Sequence, residues 1–204
     1  LLGYNQDEGT TLGGLQGAPK TPAAYEKSRG DRYGSLSAAL LEHYPSDDPR
    51  ASSLALMRDT LFGHGMHTWA RFNAKKEKDT YFYYFTHAPY GEPLGAFHAA
   101  EIAYAFDNVG RTRLEASADA AQTLDADAAV ADERLAQLMS DYWVSFAENG
   151  VPDVAGAPKW PRYGAKKAHH LEFSREGAKR GRASLGKRLG VLDKLSASQR
   201  KEAN

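Results

Sequence analysis

Seven residues constrain this chain more than any others: Thr80-Tyr81-Phe82-Tyr83-Tyr84-Phe85-Thr86, aromatic at every position between two threonines. A half-exposed strand alternates apolar with polar side chains. A run that is apolar on both faces belongs in the middle of a sheet covered on both sides. Helices are the usual cover, so this segment predicts a layered α/β fold with its strand inside the sheet. At 204 residues the chain is long enough for one domain with a sizeable core.

The flanking sequence fills in the rest. Leu1 to Tyr4 reads as the tail of a buried strand already under way, so the chain is expected to begin inside a larger polypeptide. Asn5 to Thr10 is a polar turn, and residues 11–22 carry enough Gly and Pro to be loop. Segments 33–44 and 49–73 read as helices, the second weakened in its middle by Gly63 and Gly65. Residues 88–97 are expected to be loop, and 108–128 a polar connection with a weak helix. The clearest helix carries Leu135, Leu138, Met139, Tyr142, Trp143 and Phe146 on one stripe and closes at Asn149-Gly150. Trp160 to Tyr163 is a packed turn and His169 to Phe173 a short strand. From Arg175 onward nine basic residues face three acidic ones, but leucines at 185, 189, 192 and 195 predict a terminal amphipathic helix packed on the domain.

Composition removes several classes of function. There is no cysteine, so disulfide frameworks, thiolate nucleophiles and Cys-ligated metals are excluded. Lys plus Arg and Asp plus Glu number 26 each. So even a balance does not fit a protein held to nucleic acid by its overall field. No apolar stretch approaches the roughly 20 residues needed to span a bilayer. Gly181 to Arg188 nearly spells a phosphate-binding loop, but Arg188 replaces the hydroxyl residue that would hold magnesium. His64 and His67 could share a metal by spacing, yet no third ligand lies nearby in sequence; packing or surface roles fit them better.

Two residues remain with a chemical geometry in common. Glu8 follows the opening strand and His98 the aromatic strand, each beyond a strand's carboxyl end, where open α/β sheets bind ligands. A carboxylate that orients a histidine base is two-thirds of a hydrolytic triad. Spacing alone gives this little weight, since a Glu in a polar turn and a His in a loop are ordinarily solvated.

The motifs around them carry more. Gly3-Tyr4-Asn5-Gln6-Asp7-Glu8-Gly9 resembles the G-x-N-x-D-E-G segment of type B carboxylesterases, the carboxylesterase/cholinesterase family. Gly95-Ala96-Phe97-His98-Ala99-Ala100-Glu101 is similar to its G-A-x-H-G-x-E segment, with Ala99 in place of glycine. Tyr142 to Pro152 resembles its Y-W-x-x-F-A-x-x-G-x-P helix end, and Trp160-Pro161-Arg162-Tyr163 its W-P-x-Y. The four motifs stand in the family's order.

The resemblance implies an α/β-hydrolase fold in which residues 1–204 form the C-terminal portion of a single catalytic domain. It implies hydrolysis of carboxylic esters by a Ser-His-Glu triad with Glu8 as the acid and His98 as the base. Asp7 then supports the turn, and Glu101 is a candidate for bracing the site from behind or for a structural charge at a helix start. Tyr90, Phe97 and the 11–22 loop are candidates to border the substrate gorge. No metal or organic cofactor is implied. No G-x-S-x-G occurs in the chain, so the nucleophile and the oxyanion hole are expected from the N-terminal part of the same protein. That part is also expected to supply one of the layers over the aromatic strand, and the isolated chain to be inactive. The partners implied are thus a small-molecule ester and that N-terminal part, with no nucleic acid and no membrane span. A secreted or periplasmic location is compatible with the resemblance. The alternatives are a non-catalytic adhesion protein of the same fold, opposed by retention of both Glu8 and His98, and a stand-alone binding module.

Overall fold

The computed structural model describes residues 1–11, 18–76, 78–89, 94–109, 126–164, 167–182 and 185–202. Its centre is a four-stranded sheet in the order β1 (Leu2–Asn5), β2 (Phe82–Phe85), β3 (His169–Ser174), β4 (Gly177–Arg182). The first three strands are parallel and β4 returns antiparallel beside β3. The aromatic strand therefore lies between two neighbours, as its sequence requires. Its side chains divide by parity. Tyr81, Tyr83 and Phe85 face one hydrophobic cluster, and Phe82 and Tyr84 face the other.

The first cluster is roofed by the long helix Ala126–Asn149, which contributes Leu135, Ala136, Met139 and Tyr142, none more than 2% exposed. Trp143 is half-buried and tilts against Tyr83, Trp160 and Phe173 at 5.5–5.9 Å between ring centroids. Each aromatic ring buried here contributes on the order of 1.5–3 kcal/mol. Gly150, at φ 72°, ends the helix and returns its N–H to the Phe146 carbonyl. The opposite face is covered by the helix His64–Lys75, whose Ala70 packs with Tyr4, Phe82 and Tyr163. Both layers over β2 thus come from within these 204 residues, contrary to the expectation that one would be supplied from upstream.

Between β1 and β2 run α1 (Pro22–Tyr33), a 3-10 turn (Gly34–Leu36), α2 (Ser37–Leu41), α3 (Pro49–Arg58), a π-helical turn (Asp59–Gly63) and α4 (His64–Lys75). The expected helix 49–73 is this last run, and its weak middle is where the π turn inserts. Helix α1 was not expected. Only Tyr25 of it is buried, so it carries no apolar stripe to read. Its start was nevertheless signalled by Thr21, whose hydroxyl accepts from the Ala24 N–H, followed by Pro22 at the first helical position. After β2 come the short α5 (Ile102–Ala105) and α6 (Ala126–Asn149). The connection expected at 108–128 lies mostly outside the described residues.

The basic tail holds a hairpin before its helix. β3 turns through Arg175 and Glu176 into β4, whose Lys179 and Arg180 point outward as charges on an edge strand often do. Helix α7 (Arg188–Glu202) follows, and Leu192 and Leu195 meet Leu40, Tyr44, Leu56 and Leu185 in a third cluster.

Candidate active site

The turn after β1 and the segment ending at His98 are zipped together by the backbone. Asp7 N–H donates to the Ala96 carbonyl, and Ala96 N–H returns to Asp7 Oδ2, both at 2.9 Å. Thr10 Oγ1 reaches the Leu94 carbonyl at 2.9 Å. Gly95, at φ 68°, is needed here, because a Cβ would sit 2.2 Å from Asp7 Oδ2. Asp7 is thereby occupied with holding the loop.

Glu8 is buried at 4% exposure, and its two oxygens are both engaged. Oε1 accepts the Asn5 N–H at 2.9 Å, and Oε2 meets His98 Nδ1 at 2.7 Å. Burial pushes the Glu8 carboxyl above the ordinary glutamate value, against the pull of those two hydrogen bonds. The His98 side chain keeps 43% of its surface exposed. The Phe62 ring, in the π turn, packs at 5.1 Å from the imidazole with 32° between planes. The imidazole is thus fixed at one edge by a carboxylate and on one face by an aromatic wall, with the Nε2 edge opposite the carboxylate.

Asn5 went unnoticed in the sequence beyond its place in a motif. Its Nδ2 donates to the Phe97 carbonyl at 2.8 Å and to Glu101 Oε2 at 2.5 Å. Glu101 also accepts from Tyr83 Oη at 3.1 Å, and burial, with the charge of Glu101 beside it, raises the Tyr83 phenol above its usual range. Glu101 therefore joins the end of β1, the middle of β2 and the backbone behind His98. Tyr83 can lie there because its neighbour is Gly3, where a Cβ would come within 2.3 Å of the ring. Phe97 is half-buried against the first cluster, while Tyr90 and part of the 11–22 loop fall outside the described residues. Ala99, which stands where the family motif has glycine, takes φ 69°, a left-handed conformation that favours glycine.

Two further features had no sequence signal. Asp59 is fully buried among Tyr44, Arg58 and Arg188, and Arg58 also donates to the Gln6 carbonyl at 3.2 Å. His87 is buried against the carboxylate of Asp132, whose Oδ1 also accepts from Tyr104 Oη at 2.7 Å.

The histidines at 64 and 67 diverge. His64 pairs with Asp193 at 2.9 Å beside Arg71. His67 is stacked on Phe82 at 4.4 Å, with Nδ1 at 3.1 Å from Tyr163 Oη. Among the described residues, no group of three His, Cys, Asp or Glu could hold a metal, and no helix is long and apolar enough to cross a membrane.

Known proteins are similar to this sequence. The model of the carboxylesterase family matches residues 19–189, which include His98, with Glu8 just before them. The fumonisin B1 esterase of Sphingopyxis macrogoltabida is 32% identical over 167 residues, covering 80% of this chain and 30% of that protein. A medium-chain fatty acyl-CoA hydrolase precursor of Anas platyrhynchos is 27% identical over 138 residues, covering 64% of this chain and 22% of that protein. The chain spans less than a third of the length of either relative. A match over most of the chain, on a layered sheet whose parallel strands end at the Glu8–His98 pair, makes this chain a member of the carboxylesterase family with an α/β-hydrolase fold.

Proposed function

We propose that this chain supplies the acid and the base of a serine esterase, Glu8 and His98, to a nucleophile carried by the N-terminal part of the same protein. The observation that carries the reading is the 2.7 Å contact between a buried carboxylate and a histidine whose ring still reaches solvent. Glu8 accepts from Nδ1–H, which leaves the lone pair on Nε2. Nε2 takes the proton of a serine hydroxyl as its oxygen attacks the ester carbonyl, and Glu8 stabilises the imidazolium that results. The same nitrogen then gives the proton to the departing alkoxide, leaving an acyl-serine. Water, deprotonated in its turn by Nε2, attacks the acyl carbon, and the imidazolium returns that proton to the serine oxygen as the C–O bond breaks and the acid leaves. Asn5 holds the Phe97 carbonyl next to the base and is itself held by Glu101, and no cofactor takes part in these steps.

The family and its esterase-named relatives support ester hydrolysis as the reaction class. The 204 residues contain no G-x-S-x-G, so turnover is expected of the complete polypeptide and not of this segment alone. The test is pre-steady-state kinetics of the complete protein on an aryl ester, combined with a fluorophosphonate probe. A burst of one phenol per protein and labelling of a single serine before Leu1 are expected. Turnover without a burst and without labelling would overturn the serine mechanism.

A further inference from the structure

The last residue of α3 and the π turn after it touch the surroundings of both Glu8 and His98. Arg58 ends α3, and its guanidinium donates through Nη1 to the Gln6 carbonyl at 3.2 Å. Gln6 belongs to the turn that carries Glu8, and its own N–H is held by the Phe85 carbonyl at 2.8 Å. Further along the π turn, Phe62 forms the wall against the His98 ring. One short segment, 58–62, thus meets the turn of the acid and the ring of the base.

The segment is itself clamped. Asp59 is fully buried, and its Oδ1 accepts from Arg58 Nε at 2.6 Å. Its Oδ2 accepts from Tyr44 Oη at 2.8 Å and pairs with Arg188 Nη1 at 2.9 Å. Tyr44 lies just past α2 and Arg188 opens α7, so distant parts of the chain converge on one carboxylate. A buried ion pair adds little net stability, because desolvation offsets most of the Coulomb gain, and its best-attested use is to fix register. The register fixed here is that of a π turn, an irregularity that recurs at functional sites.

We propose that Arg58 is a positioning residue for the Glu8–His98 pair. Its bond to the Gln6 carbonyl sets the approach of Glu8 to His98 Nδ1, and its bond to Asp59 holds the π turn so that Phe62 meets the face of the ring. Arg58 acts through these two turns and not on the reacting atoms. A lysine in its place can pair with Asp59 or reach the Gln6 carbonyl, but a single ammonium lacks the fork that serves both. The consequence for turnover rests on the esterase reading, whereas the placement of Glu8 against His98 does not.

Proton NMR of the complete protein reads the placement directly. A histidine N–H held by a carboxylate resonates far downfield, and such signals are expected from His98 on Glu8 and from His87 on Asp132. His98→Ala assigns the first by deleting it, and the surviving signal of the enclosed His87 is the internal control. In Arg58→Met the His98 signal should broaden or vanish as the contact loosens and its proton exchanges with water, while the His87 signal stays. Asp59 keeps Tyr44 and Arg188 in this variant, so its charge is not left unpaired. Arg58→Lys, the milder substitution, should show the same loss in smaller degree. On an aryl ester, Arg58→Met should lower kcat by about tenfold or more and change KM less than about twofold, with Arg58→Lys between it and the wild type, since small misplacements cost up to about 10²-fold. A His98 signal unchanged in both variants would overturn the assignment. So would equal loss of the His98 and His87 signals, which marks a general structural role. If the wild type shows both signals and hydrolyses no ester, the esterase reading falls, and the NMR comparison still decides whether Arg58 places Glu8.

Discussion

His87 and His98 sit at the two ends of one loop, and each meets a carboxylate from a distant part of the chain. Their surroundings differ. The His87 side chain is 7% exposed and Asp132 beneath it 2%, while His98 is 43% exposed over a Glu8 that is 5% exposed. Tyr104 adds a second donor to Asp132, whereas the Nε2 edge of His98 lies on the side of the ring away from its carboxylate. The same two groups thus make an anchor where both are enclosed and a candidate acid–base pair where one reaches solvent. Without the motifs around Glu8 and His98, sequence would not separate them.

The sharpest way to break the comparison is to remove each histidine in the complete protein. His98→Ala should lower kcat/KM on an aryl ester by about 10⁵-fold or more, as loss of a triad base does. His87→Phe should change kcat less than about tenfold in the fraction that folds, far below that loss. Comparable losses from both, at unchanged melting temperature, would end the distinction. Replacing the carboxylates comes next. Glu8→Gln should cost about 10⁴-fold in kcat. Asp7→Asn should cost far less, because Asp7 is committed to the Ala96 N–H. The reverse ranking would show that the acid has been misassigned.

The anchor should announce itself in stability. Asp132→Ala removes the oxygen that His87 and Tyr104 share, and urea unfolding should report a loss of about 3–5 kcal/mol.

His67 sharpens the point from a third direction, as an enclosed histidine set against the Phe82 ring and the Tyr163 hydroxyl. Burial drives its pKa down to about 3. The unfolded chain then binds the proton that the folded chain refuses. The stability this gives is complete above about pH 6.5 and is lost as pH falls towards 3, about 3 kcal/mol of it between pH 7 and pH 4. His67→Phe, which keeps a ring on Phe82, should flatten that dependence in unfolding measured across pH.

The smallest effect concerns the backbone next to the base. Ala99→Gly relieves a left-handed alanine and should stabilise by up to about 1 kcal/mol, read as a modest rise in melting temperature.

Those residues also mark how far the sequence could be read. The layered fold was legible because Tyr81 to Phe85 admit only one environment, and because the stripe from Leu135 to Phe146 matches a helix that must be half-covered. Glu8 and His98 were legible through motifs around them, since neither residue carries a local signal of its own. The rest failed for physical reasons. Helix α1 buries one side chain and so has no periodicity. Strand β4 carries Lys179, Arg180 and Arg182, which read as a solvated tail. Asn5, Asp59 and the His87–Asp132 pair act through contacts between residues far apart in the chain, to which no local pattern is sensitive.

The convergence of His87 and Tyr104 on Asp132 has a consequence for variation. It ties the chain at His87 and again at Tyr104 to one carboxylate, a ring fastened at its base, with the backbone beside His98 held by Asn5 and Asp7. In such a ring, inserted residues add little cost, about 0.6 kcal/mol for each doubling of length. The length of chain between these two anchors can then change at small cost while His98 keeps its position against Glu8.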